Sequence, residues 1–588
     1  MTLIDWFILF IYLIFSLLLG IYISLKNRNE ADYFVAGRRL NGLLAGMSMA
    51  ATTFSIDTPL YVAGIIGARG LAGNWEWWSF GLAHVAMTVV FAPLWRRSRV
   101  LTDAAFTELR YGGKPAAYLR AIKAFLLSVP INCIGIGYAF LAMRKVAESL
   151  GVVDGHIIFG PFTDTIFFMV LVASFVLIYT VLGGLWAVVV NDFMQIILAL
   201  IGAFAVCFVA IDASGGMRDL LIKLEELDRP ELLSLFPWTL NKEGFNWLDG
   251  SGISITTFFA FISLQWWSFR RSDGGGEFIQ RLLATKDENQ ATIAGVVFLV
   301  VNYLIRSWLW ILVGFAGLVL LPYQNDWELA YPNLAITYLP PVGLGLVVVS
   351  LVAAFMSTVS TSINWGASYL SHDLYKRFVR PSAGPTEMIL MGQFASILLL
   401  LVGVITALFN NSIASMFRLV IAIGTGPGAV LVLRWFWWRV NALAELSAML
   451  SGFFIGLITS VSPIFQIEDF GERLFITTSF TAVIWLFTLF FSEPESEETL
   501  NKFVMQVKPP GPGWKRIREK LDVNQGDNFS LLGTRFVLAS GILYGGLISI
   551  GAFLLHQESS AWIALSITVS CLLLMKKTKL ITQKVYPH

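Results

Sequence analysis

Hydroxyl side chains are concentrated in two otherwise apolar stretches of the chain. Residues 47–59 carry five hydroxyls together with Asp57 and Pro59, and residues 357–362 carry five more. Proline removes a backbone donor and clashes with the carbonyl group four residues earlier, so Pro59 frees carbonyl oxygens around Ser55. One hydroxyl on a helix usually bonds back to its own helix, but five in six positions exceed what packing requires. Neutral oxygens of this kind suit a small hard cation that binds weakly enough to leave again.

Charged residues inside apolar runs are the next candidates. Arg306 lies near the middle of such a run, and a buried guanidinium usually pairs with an acid or with a substrate anion. The sequence leaves both roles open, with Asp57 as the candidate acid. Arg418 is typical of an arginine that reaches the membrane interface, and His84 has no second histidine or acid at helix spacing, which favours a packed histidine over a ligand. Gly274–Gly276 lacks the Lys-Ser/Thr ending of a phosphate loop and is interpreted as a flexible break.

The sequence carries no motif of the common enzyme classes. HExxH, GxSxG, P-loop and paired CxxC patterns do not occur, and the three cysteines fall in apolar runs without metal-ligand spacing. Paired acids, or a nucleophile with its base, are also missing. The aromatic cluster Trp435–Trp438 suits a membrane interface, and nothing else supports a nucleic-acid partner. We therefore expect neither an enzyme nor a nucleic-acid-binding protein.

The elements that position these residues must be membrane helices. Of 588 residues, 56% are apolar and 14% are charged, whereas a soluble domain carries about 25% charged residues. Lys+Arg 41 against Asp+Glu 39 leaves the net charge near zero, so charge indicates no acidic partner. A bilayer core about 30 Å thick needs about 20 helical residues, and runs of that length recur. The fold class is an all-α polytopic membrane protein in contact with the lipid bilayer.

The hydropathy pattern predicts about fifteen transmembrane helices. They lie at residues 4–25, 42–68, 75–95, 119–143, 162–182, 193–211, 252–269, 291–321, 341–371, 386–409, 412–438, 442–463, 473–492, 533–555 and 561–575. Most Lys and Arg residues fall in loops after odd-numbered spans, which the positive-inside rule places in the cytoplasm. We therefore expect a multi-pass protein of the plasma (inner) membrane with its N-terminus outside and its C-terminus cytoplasmic. Residues 493–531 are interpreted as a solvated cytoplasmic connector with a surface helix.

Four segments form a combination that is more specific than any one of them. They are ADYFVAGRR at 31–39, GGLWAVVVNDFMQ at 183–195, IQRLLATK at 279–286 and SHDLYK at 371–376. Interrupted helices at the second and seventh spans are also the pattern of inverted-repeat transporters. On these segments the chain resembles the sodium:solute symporter family, which has the LeuT-type 5+5 inverted-repeat fold. The resemblance covers about residues 30–440.

The resemblance implies a sodium (Na+) site between the second and ninth spans. Its ligands would be the backbone carbonyls of Ala51, Phe54 and Ala354 and the hydroxyls of Ser357 and Thr358. Asp192 matches an acid thought to help the ion leave inward. Candidate substrate contacts are Thr53, Asp57, Thr58, Gln265, Trp266 and Trp267, with Arg306 added because of its place in the eighth span.

The same resemblance divides the chain into five parts. Residues 1–41 would form an extra helix and a loop, 42–211 the first repeat, 212–251 an extracellular segment, 252–440 the second repeat, and 441–588 the extra C-terminal helices. The chain departs from the family pattern between Trp267 and Gln280, where extra residues make the register of the inner gate uncertain. Tryptophans also stand where tyrosines are expected.

The most specific interpretation is a secondary active symporter. It would couple inward sodium flow to uptake of a small organic solute, such as an amino acid, carboxylate or sugar, by alternating access. One alternative keeps the fold and uses protons, with Asp57 or Asp192 as carrier. Another is a transporter-like receptor or sensor, although residues 493–531 are too short for an obvious signalling domain. The sequence fixes neither the substrate nor the stoichiometry nor the oligomeric state.

Overall fold

The chain is helical along almost its whole length. The computed structural model describes residues 1–24, 36–159, 162–241, 244–523, 528–578 and 580. The segment at 31–39 that contributes to the family resemblance therefore lies partly outside the described residues. Within them, the strands form two short antiparallel hairpins, β1 (Ile157–Phe159) with β2 (Phe162–Thr163) and β3 (Trp238–Asn241) with β4 (Gly244–Trp247).

The helices are numbered here in chain order. Those of the first half are α1 (Leu3–Ser24), α2 (Gly42–Thr53), α3 (Asp57–Gly73), α4 (Trp75–Ser98), α5 (Phe106–Arg110), α6 (Gly113–Ser149), α7 (Asp164–Ala213), α8 (Met217–Glu225), α9 (255–268) and α10 (Gly276–Ala284). Those of the second half are α11 (Glu288–Leu320), α12 (Ala330–Tyr338), α13 (Gly343–Val379), α14 (Pro385–Leu408), α15 (Ile413–Gly424), α16 (Gly428–Phe436), α17 (Ala442–Val461), α18 (Phe470–Phe491), α19 (Glu497–Val507), α20 (Lys515–Lys520), α21 (Phe529–Leu554) and α22 (Glu558–Thr578).

Side-chain caps set the starts of many of these helices. The carboxamide oxygen of Asn41 accepts a hydrogen bond from the Leu44 N–H at 2.8 Å, and Asn441 repeats this geometry at the start of α17. Asp287 accepts from the Gln290 N–H at 2.9 Å. Such bonds satisfy N–H groups that have no partner inside the helix. The polar residue before each apolar run therefore fixes where the helix begins.

The second predicted span is broken near its middle, as the sequence predicted. Helices α2 and α3 meet at a bend of 56°. The Phe54 N–H still reaches the Ala51 carbonyl at 3.1 Å, and the Thr58 N–H reaches the Ser55 carbonyl at 3.1 Å. Pro59 lies in the first turn of α3, where a missing N–H is tolerated. The residues between the helices thus leave the regular hydrogen-bond ladder.

Two further breaks lie side by side and share hydrogen bonds. The gap between α9 and α10 contacts the gap between α15 and α16. The Arg270 N–H donates to the Gly424 carbonyl at 2.8 Å, and the Gly426 N–H donates to the Ser268 carbonyl at 2.8 Å. Gly426 has a φ of 114°, a conformation that glycine adopts readily. Each break therefore supplies partners for the backbone groups of the other, which a break inside a membrane requires.

These breaks correct two sequence-based predictions. The seventh span was predicted to end at residue 269, with Gly274–Gly276 as a flexible break, but the structure places a further buried helix, α10, directly after this break. The break of the eleventh span was missed, although GTGPG at 424–428 carries the glycine and proline signal for it. Arg270 and Arg281, counted as loop charges in the orientation argument, are buried inside the protein.

The predicted count of fifteen spans is not confirmed. Among the described residues, eleven helices are long and apolar enough to cross a membrane, or twelve if the bent pair α2–α3 forms one span. The three remaining predicted spans have physical explanations. The seventh and eleventh are split into short helices by their breaks, and the fifth corresponds to a short apolar part of α7, Asp164–Ile178. The protein is a multi-pass helical membrane protein.

The segment 493–523, predicted as a solvated connector, is largely docked on the protein. Phe503 and Trp514 are fully buried, and the Trp514 indole donates to the Trp435 carbonyl at 2.9 Å. The Arg110 guanidinium lies between the rings of Phe503 and Trp514, 5.3 and 4.8 Å from their centroids. Aromatic side chains spaced along this polar segment anchor it to the protein. They were a signal for docking, which the high charge of the segment made hard to notice in the sequence.

Candidate functional site

A polar cavity lies between the helices, beside the break that separates α2 from α3. Its volume is about 110 Å³, room for several waters or a small solute, since one water needs about 10–15 Å³ on this measure. The lining comes from the α2–α3 break, α4, α6, residues 269–277, α11, α13 and α15. Three predicted substrate contacts, Thr53, Asp57 and Thr58, line it, as does Thr358.

The two oxygen-rich stretches meet at this break. The Thr358 hydroxyl donates to the Thr52 carbonyl at 3.0 Å, joining α13 to the end of α2. Ala51 and Phe54 flank that carbonyl, and Ala354 lies one turn before Thr358 on α13. All three are at most 2% exposed. The structure thus brings the residues predicted to hold sodium onto two helices in direct contact.

Asp192 connects α7 to three other helices at the same level. Its carboxylate accepts hydrogen bonds from the hydroxyls of Ser48 and Ser357, both at 2.6 Å. Arg281, from α10, lies 3.4 Å away and forms a salt bridge with it. Arg281 also donates to the Thr361 hydroxyl at 2.7 Å. A buried charge without such partners would be costly, so this cluster holds an ion pair beside the predicted ion ligands.

Arg306 stabilises the end of α2. Its guanidinium donates to the Ala50 carbonyl and to the Thr53 hydroxyl, each at 2.8 Å. The last carbonyls of a helix lack partners and carry partial negative charge, so a cation is favoured there. Among the described residues, Asp57 forms no ion pair with Arg306, and its Oδ1 has no hydrogen-bond partner. Arg306 lies next to the cavity and reaches it through Thr53.

The predicted substrate contacts of the seventh span lie outside the cavity lining. Trp266 stacks on Phe536 with ring centroids 5.1 Å apart, and the Trp267 indole donates to the Ser263 carbonyl. Gln265 is fully buried. The register differs because the extra residues of this span form the break itself, and Phe269, Arg270, Arg271 and Glu277 take the places that face the cavity.

Aromatic side chains cover the cavity on the side of α15. The Phe417 ring lies 5.0 Å from that of Tyr61 and 6.1 Å from that of Phe80. Beyond them, buried Glu76 pairs with Arg418, whose Nε lies 2.9 Å from its Oε1, and with Arg69. Arg418, which was predicted to reach the membrane interface, has a partly exposed side chain and closes an ion pair between α4 and α15.

Several cavity residues were missed in the sequence. Arg270 and Arg271 were counted as loop charges and Glu277 was not considered, although two arginines beside three glycines directly after an apolar stretch are a signal of a polar break. Tyr138 and Asn132, from α6, carried no signal because single polar residues in an apolar run are common. His84 is packed as predicted, with Nδ1 2.7 Å from the Tyr303 hydroxyl, but it also lines the cavity.

A second, smaller cavity adjoins the first. Its volume is about 20 Å³, and the two cavities share Ile131 and Arg270 in their linings. Asp103, in the loop between α4 and α5, lines it together with Lys123 and Asp273. Burial raises the pKa of Asp103 to about 6, while nearby Lys123 acts in the opposite direction. Arg270 therefore lies where the central cavity continues towards a second charged pocket.

Gly276 allows α10 to pack against the cavity wall. A Cβ atom there would lie 2.1 Å from Nε1 of Trp365, a lining residue. We expect Gly276→Ala to lower the free energy of unfolding by about 1–3 kcal/mol through overpacking, measured by thermal unfolding in detergent. Gly392→Ala is the matched control, because nothing lies within 4 Å of its added Cβ. Equal stability of the two variants would contradict this packing argument.

Comparison with known proteins gives a consistent result. A family model described as the Sodium:solute symporter family matches residues 33–452. The chain is 25% identical over 517 residues to the sodium/glucose cotransporter of Vibrio parahaemolyticus, covering 83% of this chain and 90% of that protein. It is 25% identical over 455 residues to the high-affinity proline transporter PutP of Bacillus subtilis (strain 168), covering 74% and 88%. A solved Na+-coupled sialic acid symporter, in a substrate-bound outward-open state, shares the fold with a TM-score of 0.67 at 19% identity, covering 84% and 99%.

Proposed function

The chain belongs to the sodium:solute symporter family, and from that premise we propose that its sodium ion binds where α2 breaks against α13. As a member of this family, the protein couples sodium to the uptake of a solute. The proposed ligands are the carbonyls of Ala51, Phe54 and Ala354 and the hydroxyls of Ser357 and Thr358. The hydrogen bond between Thr358 and the Thr52 carbonyl is the observation that carries this proposal, because it places a hydroxyl of one helix at the freed oxygens of the other.

The coordination chemistry suits sodium. Carbonyl and hydroxyl oxygens are neutral, so they bind a monovalent cation without holding it permanently. The nearby Asp192 carboxylate has no place among the proposed ligands, but its negative charge favours the bound ion, and we also assign it the role of helping the ion leave. At a membrane potential of 100 mV, one inward charge supplies about 2.3 kcal/mol, which sustains roughly fifty-fold accumulation of an uncharged solute.

The central cavity is the proposed solute site. Thr53, Asp57 and Thr58 belong to the broken helix that also offers the sodium ligands, so an ion that orders the break also orders the pocket. Four predicted substrate contacts do not line the cavity: Gln265, Trp266, Trp267 and Arg306. We propose that they surround the solute when the protein changes conformation. A ligand shifts a conformational equilibrium only by its difference in affinity for the two states, so sodium must bind more tightly when the break is ordered around the cavity.

The arrangement of the repeats and the orientation belong to the same proposal. The breaks at 54–56 and 269–275 would mark the equivalent first helices of two repeats, residues 42–211 and 252–440, each followed by four further spans. The N-terminus would lie outside and the C-terminus in the cytoplasm, at the plasma (inner) membrane. Accessibility of single cysteines placed at Thr2 and His588 to an impermeant thiol reagent, in a background without the native cysteines, tests this orientation.

Thr358→Ala tests the sodium site without knowledge of the solute. We expect the sodium concentration that gives half-maximal thermal stabilisation to rise about ten-fold, because one ligand oxygen is lost. Thermal unfolding is measured in sodium chloride and in choline chloride. Ser350→Ala is the matched control, since its buried hydroxyl lies on the same helix and donates to the Val347 carbonyl. Unchanged sodium dependence of Thr358→Ala would remove this site from the account.

A further inference from the structure

Arg270 differs from the other deeply buried arginines of this protein. It is 8% exposed, yet its guanidinium forms no hydrogen bond or salt bridge with the described residues, and its Nε is unpartnered. Arg110 and Arg306 donate to carbonyl oxygens, and Arg281 and Arg434 pair with acids. An uncompensated buried charge is costly. Because Arg270 lines the cavity, its unpaired positive charge points to a ligand that supplies a negatively charged partner.

The backbone around Arg270 is firmly held, so the side chain starts from a fixed point on the cavity wall. The Arg270 N–H bonds to the Gly424 carbonyl at 2.8 Å, and the Ser272 hydroxyl bonds to the Gly428 carbonyl at 2.9 Å. Its guanidinium lies 5.5 Å from the centroid of the Phe269 ring. A preorganised arginine loses little freedom when it binds an anion. The side chain is thus suited to recognition rather than to filling space.

Among the described residues, the charges around the cavity leave one arginine and one carboxylate without a salt bridge, Arg270 and Asp57. Arg271 forms a salt bridge with Glu277, so these two neutralise each other. Asp57 lies at the other break, in the first turn of α3, where a carboxylate is favoured by the helix dipole. Its Oδ1 and the hydroxyl of Ser55 are buried without a hydrogen bond of good geometry among the described residues, and the two residues lie close enough to interact with each other. The cavity therefore offers a cation at Arg270 and acceptor oxygens at Asp57 and Ser55.

We infer that the solute is a small organic monocarboxylate whose carboxylate is bound by Arg270 and whose hydroxyl or amino donors reach Asp57 and Ser55. A carboxylate matches the planar fork of the Arg270 guanidinium, and a hydroxyl or amino group of the solute supplies the donor that Asp57 lacks. Tyr138, on α6, lines the same cavity and adds a hydroxyl to it. This inference rests on the proposed function, because it assigns the solute of the same cavity.

The test compares acids with neutral relatives on the purified full-length protein. The probes are D-glucuronate against D-glucose, L-lactate against L-lactamide, and N-acetylneuraminate against its methyl ester, each with sodium chloride and with choline chloride. Thermal unfolding reports binding. We expect the acid of at least one pair to stabilise the protein in sodium and its partner to bind at least about ten-fold more weakly. The inference is overturned if no acid stabilises the protein, or if a neutral partner does so equally.

Variants of Arg270 separate recognition from a structural role. Arg270→Gln should weaken binding of the acid by about ten- to a hundred-fold, and Arg270→Lys, which keeps the charge, should weaken it less. Without solute, Arg270→Met should be at least as stable as the native protein, because it removes an unpaired buried charge. Native affinity for the acid in Arg270→Gln would refute the inference, as would a solute-free loss of stability in Arg270→Met.

The outcomes also distinguish this inference from the proposed function. Sodium-dependent binding of a neutral sugar with no binding of acids would reject the carboxylate and keep the sodium-coupled site. Equal binding of an acid in sodium and in choline would keep the carboxylate and reject coupling at this cavity. Sodium stabilisation itself should be unchanged in Arg270→Gln and weakened in Thr358→Ala.

Discussion

Replacing Asp192 with asparagine should raise the sodium concentration for half-maximal stabilisation at least about a hundred-fold and should also destabilise the protein. The Ser357 hydroxyl donates to Asp192, which leaves the lone pairs of Ser357 available for the ion. In addition, Arg281 is fully buried, and without its acid it would repel a nearby sodium ion in surroundings of low dielectric constant. Breaking the buried pair should cost about 3–5 kcal/mol of unfolding free energy.

A double variant separates the two effects of Asp192. In Asp192→Asn with Arg281→Gln both charges are absent, so most of the lost stability should return, but the sodium affinity should return only in part, because the Asp192 carboxylate is still missing. Asp5→Asn is the matched control. Asp5 is a buried acid on α1 and accepts hydrogen bonds from the N–H groups of Val342 and Gly345. Its sodium dependence should be native. Sodium binding that recovers fully in the double variant would show that Asp192 acts only by neutralising Arg281.

Arg434→Met should strongly reduce the amount of folded protein. Arg434 is fully buried and joins Asp273, at 2.6 Å, to Glu445, at 2.9 Å. Its removal leaves Asp273 without a salt bridge, although Lys123 still contacts Glu445 at 3.3 Å. The expected cost is about 3–5 kcal/mol, measured by thermal unfolding and by the monodisperse fraction in size-exclusion chromatography.

Two further variants make the Arg434 prediction specific. Arg439→Met removes a neighbouring arginine that donates to the Ser492 carbonyl and is partly exposed, and it should cost much less. Arg434→Met with Asp273→Asn should recover part of the lost stability, because the side chain at position 273 becomes neutral. Its oxygen can still accept a hydrogen bond from the Trp435 indole, which lies 3.0 Å from Asp273 in the native structure. Similar stability of Arg434→Met and Arg439→Met would contradict the role of the buried pair.

Residue patterns within one helix were enough to predict much of this molecule. The broken second span was predicted because Pro59 and Asp57 interrupt an apolar run, and the hydroxyls of 357–362 pointed to α13 because helix packing does not need them. The burial of Arg306 was also predicted from its place in an apolar run. In each case, the information lies within a few turns of the same helix, where side-chain chemistry and the membrane decide the outcome together.

Partners from distant parts of the chain could not be predicted in the same way. Arg306 caps the end of α2, Arg418 pairs with Glu76, and Trp514 docks beneath Trp435, and each partner is chosen by tertiary packing. The cavity-facing role of Arg270 was missed because charges beside glycines resemble a loop. The fifteen predicted spans exceeded those found because hydropathy does not report breaks inside a span.

The paired breaks of the seventh and eleventh spans constrain how this protein can move. Pulling them apart would leave the N–H groups of Arg270 and Gly426 and the carbonyls that they contact without partners, far from water, at a cost of several kcal/mol for each group. The two segments must therefore shift as one lever during a transport stroke. Phe417 covers the cavity from α15, and Arg270 lines it from the break of the seventh span. Because these two segments are joined by hydrogen bonds, a movement of one segment also displaces the cavity residue of the other.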